Sequence, residues 1–271
     1  MVNSMNNGPS AIGVGFSCAD VYAKLAKFYP TGNGVDWGVH LSRMGIPVSI
    51  LSVVGTDKYG KLMKEALMEE GIDISHLHEK EGETCKMMMD IKNGVDRVHL
   101  EEIPGVMEEF DLTEEDKEYI KHFQYMHTDL FGKILEYLPE FRKAGVKVVM
   151  DFSIYSDDPE YCKEAYFTNV DYVFLSYKQE DDYIINHMKK IKALGPQIVT
   201  VTLGDKGSIS YDGNTFYREG IVKAEVVNTV GAGDSYIAGF TYGIINGYSI
   251  PECMKLGAQI SAQVVSKFEP Y

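Results

Sequence analysis

Between residues 113 and 201, short apolar runs alternate with amphipathic segments, and this alternation leaves very few folds open to the chain. It is typical of a parallel sheet whose strands are joined by crossover helices lying on both faces. The predicted strands are Gln124–His127, Val146–Met150, Val170–Leu175 and Ile198–Leu203, and the predicted helices are Thr113–Ile120, Lys133–Ala144 and Gln179–Ala193. The expected fold class is therefore α/β, with a doubly wound, mostly parallel sheet.

Ligands of such open sheets bind outside the carboxyl ends of the strands. His127 and Asp151 each stand at the end of a predicted strand. Neither residue belongs to a motif of its own, so both are secondary candidates for a site.

The first hundred residues continue the α/β pattern and contain one insertion. The expected elements are strands at Ile12–Ser17, Val21–Tyr29 and Pro47–Val54 and helices at Val35–Met44 and Lys61–Glu70. Two further runs, Cys85–Ile91 and Arg97–Ile103, flank Asn93-Gly94, a strong signal for a β-hairpin. Paired with the strand Val21–Tyr29, this hairpin predicts a small β lid, with strands at about 18–30 and 84–104.

Length and charge limit the classes of function. A chain of 271 residues is long enough for one large α/β domain, expected to span 11–271 after a polar leader at 1–10 that is expected to be disordered. The formal net charge of −14 argues against nucleic acids and anionic membranes as partners. No long apolar run and no signal-peptide pattern occur, so a cytoplasmic protein is expected.

Cysteine and histidine spacing gives no sign of a metal centre. Cys18, Cys85, Cys162 and Cys253 lie far apart without a C-x-x-C motif, which favours free thiols. The pair His76-x-His78 is expected in a solvated loop.

A glycine-rich turn carries the clearest chemical signal. It is Val227-Asn228-Thr229-Val230-Gly231-Ala232-Gly233-Asp234-Ser235, and it is predicted to join a strand ending in Lys223–Val227 to a helix. The first N–H groups of a helix have no partners within it, and the helix dipole adds to their attraction for anions. Gly231 and Gly233 lack a Cβ, so a phosphate can approach their amides closely. Asp234 stands beside this anion site, where a carboxylate can orient an attacking hydroxyl. The alternative interpretation makes Asp234 or Ser235 an ordinary helix cap.

The turn resembles the D-T-x-G-A-G-D signature of the ribokinase-like (PfkB) carbohydrate kinases, with Asn228 in place of the first aspartate. The resemblance implies a ribokinase-like fold and ATP-dependent phosphorylation of a primary hydroxyl of a sugar or sugar derivative. It also implies that Asp234 is the catalytic base. The amides of Gly231, Ala232 and Gly233 would form an anion hole for the transferred phosphoryl group, with Mg²⁺ screening further charge.

A second family signature, G-G-N-x-x-N, implies the sugar-binding residues. Gly32, Asn33 and Asp36 fall on its positions, while Thr31 replaces its first glycine and Asp36 its second asparagine. Asp20 matches a family aspartate that holds substrate hydroxyls. The family's lid further implies that two copies of the chain form a homodimer through it. Arg97 is a candidate to reach the substrate from the lid, and the alternative is an arginine that faces solvent.

Other segments resemble the family's nucleotide site. Thr202, Gly204 and Gly207 match its T-x-G-x-x-G turn, which receives ATP phosphates, and Asn228 and Thr229 precede the anion hole. Ser176–Glu180 resembles N-x-x-E, with Tyr177 replacing the asparagine. The match implies that Glu180 acts on Mg²⁺ through water, as suits a cation that keeps most of its hydration.

Within the family the chain resembles the fructoselysine 6-kinases. The similar stretches are Gly55-Thr56-Asp57-Lys58-Tyr59-Gly60, Gly71-Ile72-Asp73-Ile74-Ser75-His76, Asp96-Arg97-Val98 and Val199-Thr200-Val201-Thr202-Leu203-Gly204. The expected reaction is conversion of fructoselysine to fructoselysine 6-phosphate. An acidic protein with Asp36 at the sugar site attracts the ammonium groups of such a substrate.

Three alternatives stay open at this point. One is another sugar kinase of the family, a fructokinase or ribokinase. The second is a non-catalytic sugar-binding protein, suggested by the departures at Thr31, Asp36, Tyr177 and Asn228. The third is a nicotinamide-dependent dehydrogenase built on Gly13-x-Gly15, against which stands Cys18 in the place of the third glycine.

Overall fold

A nine-stranded sheet forms the centre of the protein; the computed structural model describes residues 10–92, 96–130, 133–154, 158 and 163–271. With strands numbered along the chain, its spatial order is β13 (Phe216–Glu219), β12 (Ser208–Tyr211), β11 (Ile198–Thr202), β10 (Tyr172–Ser176), β9 (Lys147–Asp151), β8 (Tyr125–Thr128), β1 (Ala11–Val14), β4 (Val48–Gly55) and β5 (Leu77–Lys80). All pairs from β11 to β5 are parallel, and β12 and β13 extend one edge antiparallel. The prediction of a doubly wound, mostly parallel sheet is confirmed.

Helices cover both faces of this sheet. One face carries α1 (Asn33–Arg43), α2 (Lys58–Glu69), α7 (Ala232–Ile245) and α8 (Ile250–Val265), and the other carries α3 (Glu114–Ile120), α4 (Leu138–Lys143), α5 (Glu164–Phe167) and α6 (Asp182–Ala193). The central strands are continuous apolar runs because both faces are covered; all eight residues of β4 are buried. No helix in the described ranges is long and apolar enough to cross a membrane.

A second, four-stranded sheet forms the lid. Its order is β3 (Lys27–Thr31), β2 (Cys18–Tyr22), β6 (Lys86–Lys92) and β7 (Asp96–Ile103). The single strand predicted at Val21–Tyr29 is wrong, because the chain reverses there through a 3-10 turn at Ala23–Leu25 and pairs β2 with β3. No glycine or proline marks this turn, and Ala26 takes the left-handed conformation (φ 50°) instead. The Asn93-Gly94 dipeptide lies outside the described residues.

Other differences from the prediction occur at short or polar segments. Residues 223–227 form an exposed loop and not a strand, because they pair with no neighbouring strand in the described structure. The short strands β5, β12 and β13 lack a clear apolar signature and were not predicted. Helix α2 begins at Lys58, three residues early, because the Asp57 carboxylate caps it by accepting hydrogen bonds from the backbone of Tyr59 and Gly60.

The histidines expected in a solvated loop are partly buried. His78 lies on β5, and both histidines contact the carboxylate of Asp116, which is 1% exposed. The distances are 3.0 Å from His76 Nδ1 and 2.9 Å from His78 Nε2. The pair therefore joins β5 to the start of α3.

Candidate active site

The predicted site residues come together where the lid meets the carboxyl edge of the large sheet. Asp20 lies on lid strand β2, Asn33 begins α1, Asp151 ends β9, and Asp234 stands in the first turn of α7. The Asn33 amide donates a hydrogen bond to Asp151 Oδ2 at 3.3 Å. The charges of Asp20 and Asp151 raise the pKa of Asp234, so the three carboxylates share one electrostatic environment.

The glycine-rich turn provides an opening for an anion on one side and is closed on the other. Gly231, the N-cap of α7, has φ 71°, and a Cβ there would lie 2.7 Å from the carbonyl oxygen of Pro270. At Gly233 a Cβ would meet no atom within 4 Å. The backbone at Gly233 is therefore open to close approach by an anion, while the Ala232 N–H donates to the Thr229 carbonyl at 3.4 Å.

Asp234 is set up to take a proton near neutral pH. Burial raises its pKa to about 7, with the charge of Asp151 adding to the rise and Arg97 opposing it. Its Oδ1 is buried and has no hydrogen-bond partner among the described residues. This oxygen is therefore available to accept a hydrogen bond from a ligand hydroxyl.

Two further carboxylates in the cleft have raised pKa values. Burial raises the pKa of Asp20 to about 6, against the effect of Arg97. Burial also raises the pKa of Asp151 to about 6, although the Ser153 N–H and the Asn33 amide stabilise its charged form. Arg97 lies on lid strand β7 with its side chain exposed, and it acts on Asp20, Asp36 and Asp234 together.

The turn before α1 holds the other predicted sugar-binding residues. Gly32 caps the helix with φ 146°, and a Cβ there would lie 2.3 Å from the carbonyl oxygen of Phe16. The hydroxyl of Thr31 donates to the carboxylate of Asp36, at 2.9 Å from Oδ1 and 2.8 Å from Oδ2. Burial raises the pKa of Asp36, the nearby charge of Asp234 adds to the rise, and this hydrogen bond opposes it. The two departures from the G-G-N-x-x-N signature therefore contact each other.

A cavity of about 730 Å³ opens on the other side of the glycine-rich turn. Thr202, Gly204, Gly207 and Thr229 line it, together with Ala232 and Gly233 from the turn. Apolar side chains form much of the rest of the wall: Ile154, Tyr177, Ile221, Val222, Val226, Ala258 and Val265. The cavity thus combines a largely apolar wall with the backbone of the N-terminus of α7, which is the mixture typical of a small-molecule site.

Asn228 lies behind the turn and not in the cavity. It is fully buried, its Nδ2 donates to the carbonyl oxygen of Phe268 at 2.8 Å, and its Oδ1 accepts from the Val230 N–H at 3.1 Å. Both ends of the amide are used, and an aspartate could not make the first of these bonds.

Glu180 is exposed and does not line the cavity among the described residues. Its carboxylate accepts hydrogen bonds from Arg218 Nε at 3.1 and 3.0 Å, and these bonds lower its pKa. No group of three or more histidine, cysteine or acidic residues suited to a metal ion exists in the described ranges. The carboxylate predicted to act on Mg²⁺ is therefore bonded to Arg218 and lies outside the residues that line the cavity.

His127 belongs to the core. It is fully buried and stacked on Trp37, with ring centroids 5.1 Å apart, and burial lowers its pKa to about 3. It is therefore neutral at physiological pH. Of the two strand-end candidates, only Asp151 is brought to the cleft.

Sequence reasoning missed two segments that border the site. In the first segment (221–226), Ile221, Val222, Ala224 and Val226 line the cavity, but the β-branched composition of the segment predicted a strand. Residues 266–271 pack behind the glycine-rich turn, and no motif marks them. Their only signal in the sequence was aromatic: Phe268 and Tyr271.

Comparison with known proteins agrees with this geometry. The model of the pfkB family carbohydrate kinases matches residues 17–271. A fructoselysine 6-kinase of Shigella flexneri is 36% identical over 252 residues, which is 93% of this chain and 95% of that protein. A fructoselysine 6-kinase of Escherichia coli (strain K12) is 35% identical with the same coverage.

The fold also has solved counterparts. The structure of Arabidopsis thaliana ribokinase complexed with ribose and ATP superposes with a TM-score of 0.82, at 19% identity, covering 96% of this chain and 94% of that one. The fold is thus ribokinase-like, as the resemblance implied. With the family model matching nearly the whole chain, this protein belongs to the pfkB family of carbohydrate kinases and is a sugar kinase.

Proposed function

We propose that this kinase phosphorylates a primary hydroxyl of fructoselysine, with ATP as the phosphoryl donor, to give fructoselysine 6-phosphate. The observation that carries the proposal is the group of acidic side chains in the cleft: Asp20, Asp36, Asp151 and Asp234. Among the described residues, Arg97 is the guanidinium that acts on Asp20, Asp36 and Asp234. Fructoselysine brings ammonium groups that offset this excess of carboxylates, whereas fructose and ribose bring none. The two fructoselysine 6-kinases at 35–36% identity support the same substrate.

In the proposed reaction Asp234 orients the sugar hydroxyl and accepts its proton as the bond to phosphorus forms. Phosphoryl transfer passes through a loose transition state, so the position of the base matters more than its strength. The amides of Gly231, Ala232 and Gly233 stabilise the negative charge that develops on the transferred group. Asp20, Gly32, Asn33 and Asp36 hold the sugar, and Arg97 contacts it from the lid.

We place the nucleotide in the 730 Å³ cavity, with its phosphates at Thr202, Gly204, Gly207 and Thr229. Bound Mg²⁺ would neutralise part of the phosphate charge. Glu180 is the proposed residue for it, acting through water. Because Arg218 holds the Glu180 carboxylate, Arg218→Ala should change the Mg²⁺ concentration needed for half-maximal rate, and Glu180→Gln should raise it.

Oligomeric state and location are separate proposals. The lid exposes Leu100 (60%) and Phe28 (39%), which suit a homodimer contact through this sheet. Sedimentation equilibrium of the protein and of Leu100→Glu measures this. A cytoplasmic location follows from the use of ATP as a substrate.

The substrate proposal is tested by comparing kcat/KM for fructoselysine, fructose and ribose under one set of conditions. We expect fructoselysine to be preferred by at least about tenfold, and the preference should shrink at high ionic strength because part of it is electrostatic. If fructose or ribose is preferred, the substrate is wrong and the sugar kinase assignment stands. If none of the three sugars stimulates ADP release, the substrate proposal fails, and a titration that nevertheless shows sugar binding would favour the non-catalytic sugar-binding alternative.

A further inference from the structure

Three parts of the chain that are distant in sequence meet behind the glycine-rich turn. Lid strand β2 contributes Tyr22, the turn contributes Asn228, and the segment 266–271 contributes Phe268. We call these three residues the lid–turn cluster. It lies next to the anion site, and its members contact one another and not the 730 Å³ cavity.

The turn is attached to the segment 266–271 by Asn228. The 2.8 Å bond from Asn228 Nδ2 to the carbonyl oxygen of Phe268 is fully buried on the asparagine side. The same side chain accepts from the Val230 N–H, one residue before Gly231. Asn228 therefore holds the backbone of the turn and that of the segment at a fixed separation.

The segment is attached to the lid by Phe268. Its ring meets Tyr22 edge-on at 5.1 Å and Tyr29 at 5.7 Å, and the ammonium of Lys27 lies 4.1 Å from its centroid. All three partners are on β2 or β3. Aromatic and cation–π contacts of this kind give both affinity and a preferred geometry.

The Tyr22 hydroxyl lies close enough to the Asn228 side chain for the two to interact. Tyr22 is 1% exposed, and its hydroxyl makes no hydrogen bond of ordinary geometry to the described residues. Burial raises the pKa of Tyr22, and the nearby Asn228 side chain opposes that rise. An orphaned buried hydroxyl is costly, so a small approach of the lid toward the turn would satisfy it.

A parallel connection runs through the end of the segment. The Pro270 carbonyl oxygen lies against Gly231 and accepts from the buried ring of His40 at 3.3 Å. The Tyr271 hydroxyl donates to the carbonyl oxygen of Pro30 on β3 at 2.8 Å. The segment thus contacts the lid and the N-cap of α7 within five residues.

We propose that Tyr22, Asn228 and Phe268 are positioning residues that couple the lid to the anion-hole turn, so that the amides of the turn take their catalytic placement only when the lid is seated on the sugar. The proposal rests on the kinase reaction assigned above and on the anion hole at residues 231–233, but not on the identity of the sugar. The proposed coupling requires an asparagine at position 228, because the Asn228 amide donates a hydrogen bond to the Phe268 carbonyl and an aspartate cannot.

The test is a double-mutant cycle between the lid and the turn. Tyr22→Phe removes one hydroxyl and keeps the ring, and Asn228→Asp removes one donor and keeps the shape. We expect each to lower kcat about tenfold while the KM values for sugar and ATP change less than about threefold, since neither residue touches substrate. The double variant should also fall about tenfold, not a hundredfold, because both changes break one unit.

The matched control is Tyr29→Phe. Tyr29 packs on the same Phe268 ring, but its hydroxyl faces the exposed Glu269 and not the turn. Its kcat should stay within about twofold of the wild-type value. The assay uses whichever of fructoselysine, fructose or ribose is turned over fastest, so a wrong substrate does not affect the result.

Several outcomes overturn the coupling. They are an unchanged or higher kcat in Asn228→Asp, additive losses in the double variant, or a loss in Tyr29→Phe equal to that in Tyr22→Phe. A fall in melting temperature with unchanged kcat would show the cluster to be packing only. If Asn228→Asp fails to fold, Phe268→Leu replaces it in the cycle, with the same expected non-additivity.

Discussion

As the proposed catalytic base, Asp234 has to meet two demands that oppose each other. A base must be charged to accept a proton, yet burial and the neighbouring Asp151 disfavour its charge and raise its pKa to about 7. Arg97 limits the rise. The Asp234 carboxylate is therefore only partly ionised at neutral pH in the free protein.

Asp234→Asn should lower kcat by about 10²–10⁴-fold, the usual contribution of a general base. The amide keeps the shape of the side chain, so binding of ATP should change by less than about twofold. Steady-state kinetics and a direct ATP titration measure the two quantities. A variant with near-normal turnover would remove Asp234 from the mechanism.

The rate should depend on pH in one direction. Only the ionised carboxylate accepts a proton, so kcat/KM for the sugar should fall as the pH drops through about 7. Asp20 and Asp151 extend the fall, since each has a pKa of about 6. Arg97→Met should move the midpoint upward, because Arg97 lowers the pKa of Asp234. A value of kcat/KM that stays constant between about pH 5.5 and pH 8 would contradict this pH dependence.

At the level of residues, the sequence was informative where a motif fixes backbone geometry. The turn at 231–234 could be predicted because its motif is short and contiguous, and because Gly231, with φ 71° and the Pro270 carbonyl beside it, takes a conformation that suits glycine. The Thr31–Asp36 bond and the burial of Asn228 could not, because both depend on partners brought close by the fold. A departure from a family signature shows which residue differs, but it does not show which other residues form the new contacts.

At the scale of the elements, one side chain at the start of α2 makes contacts within the helix and with the segment before a lid strand. The Asp57 carboxylate caps the helix and also accepts from the N–H of Thr84, at 3.1 Å, and from its hydroxyl, at 2.6 Å. Thr84 lies just before lid strand β6. Asp57 therefore fixes the lid to the end of β4.

Asp57→Ala should lower the free energy of unfolding by about 2–3 kcal/mol, since it removes a helix cap and leaves the Thr84 donors without a partner. Turnover at low temperature should stay within a few-fold of normal, because Asp57 is not at the cleft. Chemical denaturation measures the first quantity. Thr56→Ala, at the exposed neighbouring position, is the control and should cost less than about 1 kcal/mol.

Elements were predictable in proportion to their apolar periodicity. The buried parallel strands and long amphipathic helices were found with boundary errors of a few residues. The antiparallel strands β12 and β13 do not stand out in the sequence because each has only four residues and no clear apolar run. The sequence of the loop at 221–227 resembles that of a strand because it is rich in β-branched residues. In the structure several of these residues form a cavity wall and not a sheet.

For the whole molecule, the raised carboxylate pKa values set the sign of the pH dependence of stability. A carboxylate whose pKa is higher in the folded protein than in the unfolded chain binds its proton more tightly when folded. Its ionisation therefore destabilises the fold, progressively from about pH 4 up to the folded pKa. For Asp20, Asp151 and Asp234 that window ends between about 6 and 7.

Asp234→Asn should accordingly raise the melting temperature, and by more at pH 8 than at pH 5. We expect a gain of about 3 °C or more at pH 8, equivalent to about 1 kcal/mol in a protein of this size. Differential scanning fluorimetry at the two pH values measures it. Glu180→Gln, on the exposed Arg218 pair, is the control and should give no gain at either pH.

The place of β1 in the large sheet has a consequence for synthesis of the chain. Ala11 pairs with Val48 on one side and with Tyr125 on the other, so β1 joins the two halves of the sheet. On the ribosome β1 and β4 emerge early, and the second edge of β1 stays open for roughly ten seconds until β8 follows. An apolar strand with an unpaired edge is a template for wrong association. Nascent chains stalled before residue 125 should therefore recruit chaperones, and chains stalled well beyond β8 should release them.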